Sequence, residues 1–174
     1  MGILKQLIKK YKKYKNPVKY YRRLGMKIGN KCELRSSNFG SEPYLITIGN
    51  HVRINAGVHF ITHDGGTWVL RNNNKIENSS ELTLFGRIIV KDNVHIGTNA
   101  IIMPGVTVGN NCIIGCGAIV TKDIPDNSVA AGVPARVIET IDEYIEKNKQ
   151  KFSYTKSMNK EQLKKYLIEK YKID

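Results

Sequence analysis

Several things that would announce a compartment or a cofactor are scarce in this sequence. Cysteine is rare: the chain has three, Cys32, Cys112 and Cys116. Their spacing fits no zinc or thiol-redox motif, and an odd number leaves no closed disulfide framework. Their ordinary role is that of small fillers in a reduced compartment. Long apolar runs are missing, and none approaches the roughly 20 residues that cross a bilayer. The basic N-terminal stretch lacks an apolar segment followed by a small-residue cleavage site, so it does not read as a secretory leader. Together these absences point to the cytoplasm. Acidic residues are absent from residues 1–27, which carry ten Lys or Arg.

What is present turns on where that charge sits. The net charge is +13, but residues 28–140 carry nine residues of each sign, and residues 141–174 carry nine basic and six acidic ones. The excess therefore lives mainly in a terminal arm and not on the body, which argues against a nucleic-acid partner. Such an arm is suited at most to weak association with an anionic surface, such as the inner face of a membrane. A solvated helix face is the commoner origin of such a pattern. With 174 residues, 41% of them hydrophobic, the chain can build one core with short appendages.

A repeat of six dominates the middle of the chain. Every sixth residue from Val90 is aliphatic and β-branched: Val90, Ile96, Ile102, Val108, Ile114 and Val120. The residue four places after each is apolar and mostly small: Val94, Ala100, Val106, Cys112, Ala118 and Ile124. Gly97, Gly109 and Gly115 follow the aliphatic residue in three hexads. A period of six suits neither a helix nor a plain alternating strand. It suits a short strand and a tight turn, repeated, with three hexads to a triangular coil and stacked coils burying a continuous core. Ile28, Cys32, Leu34 and Asn38 start the pattern, and Ile48, Val52, Ile54, Val58 and Phe60 resume it after a two-residue phase shift. The pattern breaks over residues 63–87, rich in Gly, Asn and Ser, which reads as a loop leaving the coil. At the ends, Leu4, Leu7, Ile8 and Tyr11 recur at helical spacing up to a limit at Pro17, and Leu163, Tyr166, Leu167 and Tyr171 do so near the C-terminus. The expected organisation is a basic helical arm over 1–27, a β-coil domain over 28–140 with the excursion 63–87, and a helical tail over 141–174.

The stretch from Val94 to Ile138, ending AIVTKDIPDNSVAAGVPARVI, resembles the hexapeptide-repeat acyltransferases, in the branch of galactoside, maltose and polysaccharide O-acetyltransferases. The segment ITIGNHVRINAGVHFITHDGG, Ile46 to Gly66, is similar to the part of that family that carries the catalytic histidine. The resemblance covers roughly residues 28–140. It implies an all-β solenoid, a left-handed parallel β-helix, assembled as a homotrimer with active sites between subunits and acetyl-CoA along the groove. It implies an O-acetyltransferase with a saccharide acceptor, such as a capsule, O-antigen or similar glycan precursor. Antibiotic-acetylating relatives share the coil, so an antibiotic or other small hydroxyl compound is the alternative acceptor.

Acetyl transfer to an alcohol needs a base, and histidine titrates near working pH. His63, in THDGG, matches the family's catalytic position and stands where the regular coil gives way to the loop. It would take the proton of the attacking hydroxyl and return it to the departing thiolate. Asp64 and Glu81 are candidate partners for its ring, and Asn55, Asp64 and Trp68 are candidate acceptor contacts. Trp68 is the chain's one tryptophan, and its face suits a sugar ring. By resemblance, Gly97, Thr98, Cys116 and Ala118 fall at acetyl-CoA positions, and Thr121, Lys122 and Arg136 at the nucleotide end, where cations meet phosphate. Glu139 stands where relatives often place a basic residue. No metal is expected: His59 and His63 fall at different hexad positions, and no third ligand is evident, which weighs against a carbonic-anhydrase-type lyase. A non-catalytic trimeric scaffold is disfavoured by the intact donor motif.

Overall fold

The structure, a computed structural model, describes residues 15–73 and 75–173. The helical spacing of Leu4, Leu7, Ile8 and Tyr11 lies outside the described residues. Strands of two or three residues follow one another through the coil: β1 (Lys27–Ile28), β2 (Glu33–Leu34), β3 (Ile46–Ile48), β4 (Arg53–Ile54) and β5 (His59–Phe60). The excursion then intervenes, with β6 (His63–Asp64), the short helix α2 (Thr67–Leu70) and β7 (Leu84–Phe85). The coil resumes as β8 (Ile88–Val90), β9 (Val94–Ile96), β10 (Ile101–Ile102), β11 (Thr107–Val108), β12 (Cys112–Ile114) and β13 (Ile119–Val120). It closes with β14 (Ser128–Gly132) and β15 (Ala135–Thr140).

The coil strands up to β13 pair not with their chain neighbours but with strands a full turn away, giving three faces. Face 1 is β1-β3-β8-β11, face 2 is β2-β4-β9-β12-β14-β15, and face 3 is β5-β10-β13. Pairing within the faces is parallel, except for β14 against β15. The six-residue period is the cause. In the three-residue strands β3, β8, β9 and β12 the outer two side chains point inward and the middle one outward. The large apolar residues of the period, β-branched except for Phe60, fill the interior in columns: Ile48, Val90 and Val108; Ile54, Ile96 and Ile114; Phe60, Ile102 and Val120. Fully burying one such side chain contributes about 1.5–3 kcal/mol.

The edges are held by side chains that repeat once per coil. Between faces 1 and 2, His51, Asn93, Asn111 and Asn127 all have left-handed backbone, with φ of 54°, 56°, 53° and 59°. Asparagine tolerates that region better than most residues. Asn93 Nδ2 donates to Asn111 Oδ1 and Asn111 Nδ2 to Asn127 Oδ1, each at 2.9 Å. One residue earlier a second ladder runs from side chain to backbone. Asn50 N donates to Asp92 Oδ1 (2.7 Å), Asp92 N to Asn110 Oδ1 (3.1 Å) and Asn110 N to Asp126 Oδ1 (2.9 Å).

Helix α1 (Pro17–Arg23) covers the first coil. Pro17 opens this helix at its first turn, with Asn16 as cap, whereas the sequence reading used Pro17 only as a limit. The Tyr21 ring meets Phe39 edge-on at 4.5 Å, and Phe39 stacks on Phe60 at 5.1 Å. After β15, a capping box of Thr140 and Glu143 starts α3 (Ile141–Asn148), which lies against β14 and β15. Helix α4 (Lys160–Tyr171) follows and carries Leu163, Tyr166, Leu167 and Tyr171. No helix of the described residues is long and apolar enough to cross a membrane.

Candidate active site

His63 leaves the coil at the edge between faces 3 and 1, in β6, which pairs antiparallel with β7 as His63↔Phe85 and Asp64↔Leu84. Its Nδ1 lies 3.1 Å from Oε2 of Glu42, and the two side chains are 43% and 15% exposed. The same carboxylate oxygen accepts a 2.5 Å hydrogen bond from the buried Thr62 hydroxyl. That hydroxyl, the main influence, together with the His63 ring, holds the Glu42 carboxyl below the usual carboxylate range against an opposing effect of burial. Glu42 therefore stays ionised at neutral pH, and in this contact a carboxylate accepts, so Nδ1 is the donating nitrogen of the ring. The Phe85 ring meets the imidazole edge-on at 6.0 Å. A packed glycine permits the arrangement. Gly40 has φ of 61°, and a Cβ there would overlap the Thr62 hydroxyl, so only glycine lets the preceding coil bring Glu42 this close.

Neither expected partner of His63 fills that role. Asp64 turns away and accepts from Gly66 N at 2.7 Å, closing the turn at the base of the loop. Glu81 sits exposed in a 3-10 turn, Ser79–Glu81, at the far side of the excursion. Glu42 escaped the sequence reading because both expected partners, Asp64 and Glu81, lie after His63 in the excursion, whereas Glu42 lies before it, in the preceding coil. The two-residue phase shift of the first coil was the available signal, since one lengthened turn back from residues 62 and 63 falls at residues 42 and 43.

The excursion is a built loop. Arg71 binds across it, Nε to Leu82 O at 2.8 Å and Nη2 to Thr83 Oγ1 at 3.1 Å, and Thr67 Oγ1 donates to Asp64 O at 3.0 Å. It presents apolar groups to solvent: Phe85, opposite His63, is 53% exposed, Leu84 57% and Trp68, in α2, 76%. Trp68 is not used as an anchor in this chain.

The donor candidates divide between two edges of face 3. At the edge between faces 2 and 3, equivalent residues of successive coils stack: Gly97 N donates to Ile114 O (2.8 Å) and Gly117 N to Thr98 O (2.8 Å). This sets the exposed Thr98 over the exposed Cys116. Gly97 is required there, because a Cβ would overlap the backbone nitrogen of Cys116. Asn55 belongs to this edge through its backbone bond to Ile96 O at 3.1 Å, not to the His63 edge where the sequence reading set it. Ala118 is fully buried in the core, so its side chain offers nothing to a ligand. Thr121 and Lys122 lie exposed at the His63 edge, below Met103, whose N donates to Val120 O at 3.0 Å. Arg136 is exposed on β15, its Nη1 donating to Ala135 O at 2.8 Å. Glu139 is held by Lys147 at 2.5 Å. A single chain does not bring His63 together with Thr98 and Cys116, since the width of face 3 separates them.

The remaining histidines lie elsewhere. His51 bonds Asn93 and His59 bonds Asn38 on the outside of the coil. His95 is half-buried on face 2, where burial first, and then the charge of Arg53, lower its pKa. Among the described residues no group of three or more His, Cys, Asp or Glu is disposed to hold a metal.

A three-faced parallel coil with these edges defines a protein class, and comparison with known proteins agrees. The model of a family described as bacterial transferase hexapeptide (six repeats) matches residues 87–122. Protein CapG of Staphylococcus aureus is 46% identical over 154 residues, covering 87% of each chain. This chain belongs to the hexapeptide-repeat transferase family, and its enzyme class is acetyltransferase. Galactoside O-acetyltransferase of Escherichia coli K12 is 44% identical over 108 residues, 59% of this chain and 47% of that one. Among solved structures, a maltose O-acetyltransferase from Clostridium difficile 630 superposes with a TM-score of 0.57 at 28% identity, over 70% of this chain and 73% of that one. A galactoside acetyltransferase in complex with coenzyme A does so with a TM-score of 0.51 at 28% identity, over 80% and 74%.

Proposed function

We propose that the protein is an acetyl-CoA-dependent O-acetyltransferase that acetylates a saccharide hydroxyl, with His63 as general base and Glu42 as its orienting carboxylate. The observation that carries this reading is the His63–Glu42 pair, with the Phe85 ring edge-on to the imidazole, at the root of a loop that exposes Trp68. His63 Nε2 takes the proton of the acceptor hydroxyl as its oxygen attacks the thioester carbonyl carbon. The tetrahedral intermediate collapses with cleavage of the C–S bond, and the imidazolium returns the proton to the thiolate. Glu42 stabilises the imidazolium that forms between the two steps.

Family membership supports a left-handed coil and a homotrimer in which the Thr98–Cys116 edge of one subunit faces the His63 edge of the next. Separation of the two edges within one chain fits this arrangement, and acetyl-CoA would run between them, its phosphates toward Lys122 and Arg136. The basic residues that precede β1 suit weak association with an anionic membrane surface on the cytoplasmic side. A screen of saccharide and antibiotic hydroxyls with labelled acetyl-CoA tests the reading, with His63→Ala as control. Label transferred to a saccharide by the parent chain and lost in the variant is the expected result. Full activity of the alanine variant on the best acceptor would refute the mechanism.

A further inference from the structure

A cavity of about 550 Å³ lies between the outer surface of face 2 and the segment that follows β15. Its size falls within the roughly 300–1,000 Å³ typical of small-molecule sites. None of the acetyl-transfer residues described above lines it.

Its floor is a single column of side chains on adjacent strands. Glu33 pairs in register with Arg53, Arg53 with His95, and His95 with Ile113. The column thus runs from charged, through a histidine whose pKa is lowered, to apolar. Tyr144 and Ile145 of α3 and Phe152 beyond it form the opposite wall, with Lys31 and Lys156 also lining the space.

The charges do not balance. Three cations, Lys31, Arg53 and Lys156, line the cavity against the one carboxylate of Glu33. Glu33 is moreover shared: its Oε2 lies 3.2 Å from Arg35 and 3.2 Å from Arg53 Nε. The second of these contacts lacks hydrogen-bond geometry, because Arg53 Nε is enclosed and has no hydrogen-bond partner. With Nε enclosed against Glu33, what a ligand can reach is the rest of the Arg53 side chain, which is 40% exposed. Burial keeps His95 from adding a further positive charge, so it offers the ligand a neutral ring.

We propose that this cavity binds a small amphipathic anion, a phosphate, sulfate or carboxylate carried on a flat apolar body. The head takes the Arg53 guanidinium, with Lys31 and Lys156 neutralising it, and the body packs between Ile113 and the Tyr144–Phe152 wall. The lining shares no residue with the set assigned to acetyl transfer, and the proposal does not depend on the acceptor reading.

The test is calorimetric titration of the intact chain with 1-naphthyl phosphate, and with 1-naphthol and inorganic phosphate as its two halves. Naphthyl phosphate should bind one per chain, about tenfold or more tighter than either half. Arg53→Gln should weaken it by about tenfold, the loss expected for a charge-assisted hydrogen bond. Phe152→Ala should weaken naphthyl phosphate while leaving inorganic phosphate unchanged. Both side chains are partly exposed, at 40% and 46%, so the variants should melt with the parent chain. Should Arg53→Gln fail to fold, Lys156→Gln carries the charge arm, with a loss of several-fold expected. Binding no tighter than either half overturns the proposal, as does insensitivity to both the charge and the aromatic substitutions. Displacement of the probe by saturating coenzyme A would assign it to the donor groove and also overturn it.

Discussion

Replacing Glu42 by Gln keeps the size of the side chain and removes its charge. The bond it makes with His63 is 3.1 Å long and partly screened, with 43% of the imidazole and 15% of the carboxylate exposed. A charge-assisted hydrogen bond in such a setting contributes about 1.5–2 kcal/mol. If that contribution is made chiefly when the ring is positive, it appears in the barrier, and at about 1.4 kcal/mol per decade it is worth about ten- to thirtyfold in kcat/KM. Glu42→Ala, which also loses the fixed ring orientation, should fall further, to about a hundredfold. Free thiol released from acetyl-CoA in the presence of the best acceptor gives the rate. The KM for acetyl-CoA should not move, because the Thr98–Cys116 edge is untouched. Thr62→Val should show a smaller loss of the same kind, since the hydroxyl only places the carboxylate. If Glu42→Gln kept kcat/KM within about twofold of the parent while His63→Ala was inactive, the pairing would be a surface contact without catalytic consequence.

Other consequences follow from the same structure. The folded Glu42 carboxyl titrates below its unfolded value of 4.5, so its contribution to stability is present above that pH and is lost as pH falls through the folded value; acid unfolding of Glu42→Gln should accordingly be shallower than that of the parent. Asp92, held low by the Asn50 backbone N–H, and Asp126, held low by the Asn110 side chain, act in the same direction, so Glu42→Gln should still lose some stability across this range. Ile96→Ala, at a site with no exposure, should cost about 2–5 kcal/mol in denaturant unfolding. Gly97→Ala forces a Cβ onto the Cys116 backbone and should raise the KM for acetyl-CoA as well as lower the melting temperature. Arg71→Ala releases the tie across the excursion and should raise the acceptor KM while leaving donor affinity unchanged.

The coil was legible because its period is rigid. A residue six places from a buried isoleucine must be buried as well, and Ile96, Ile102 and Ile114 all are. The start of the excursion at His63 was legible for the same reason, as the point where regularity stops. Glu42 was not, because neighbours in a solenoid are a turn apart, and the turn before His63 is longer than eighteen residues. Asn55 was misplaced by the same blindness: nearness to His63 in the chain hides the fact that an edge has been turned between them. The helix opened by Pro17 was hidden by reading proline as a stop when it also serves as a start. Ala118 fitted two roles by sequence, a core position of the hexad and a family contact; its side chain takes the first, which leaves only its backbone for the second.

The seam of the excursion has a consequence for how such a chain can change. Gly86 N donates to Thr62 O at 3.0 Å, so the residue on which the main chain departs and the one on which it returns are hydrogen-bonded neighbours. The stack meets no gap there: β8 takes its place on β3 in register, Ile46↔Ile88, as though nothing had intervened. Beyond His63, the segment between is thus an interchangeable cassette plugged into a continuous column. Its length and composition can be rewritten without disturbing the coils above or below. On the proposed mechanism, exchange of the loop beyond His63 can therefore shift acceptor choice, while His63 at the seam and the Thr98–Cys116 edge stay fixed in a framework that does not register the replacement.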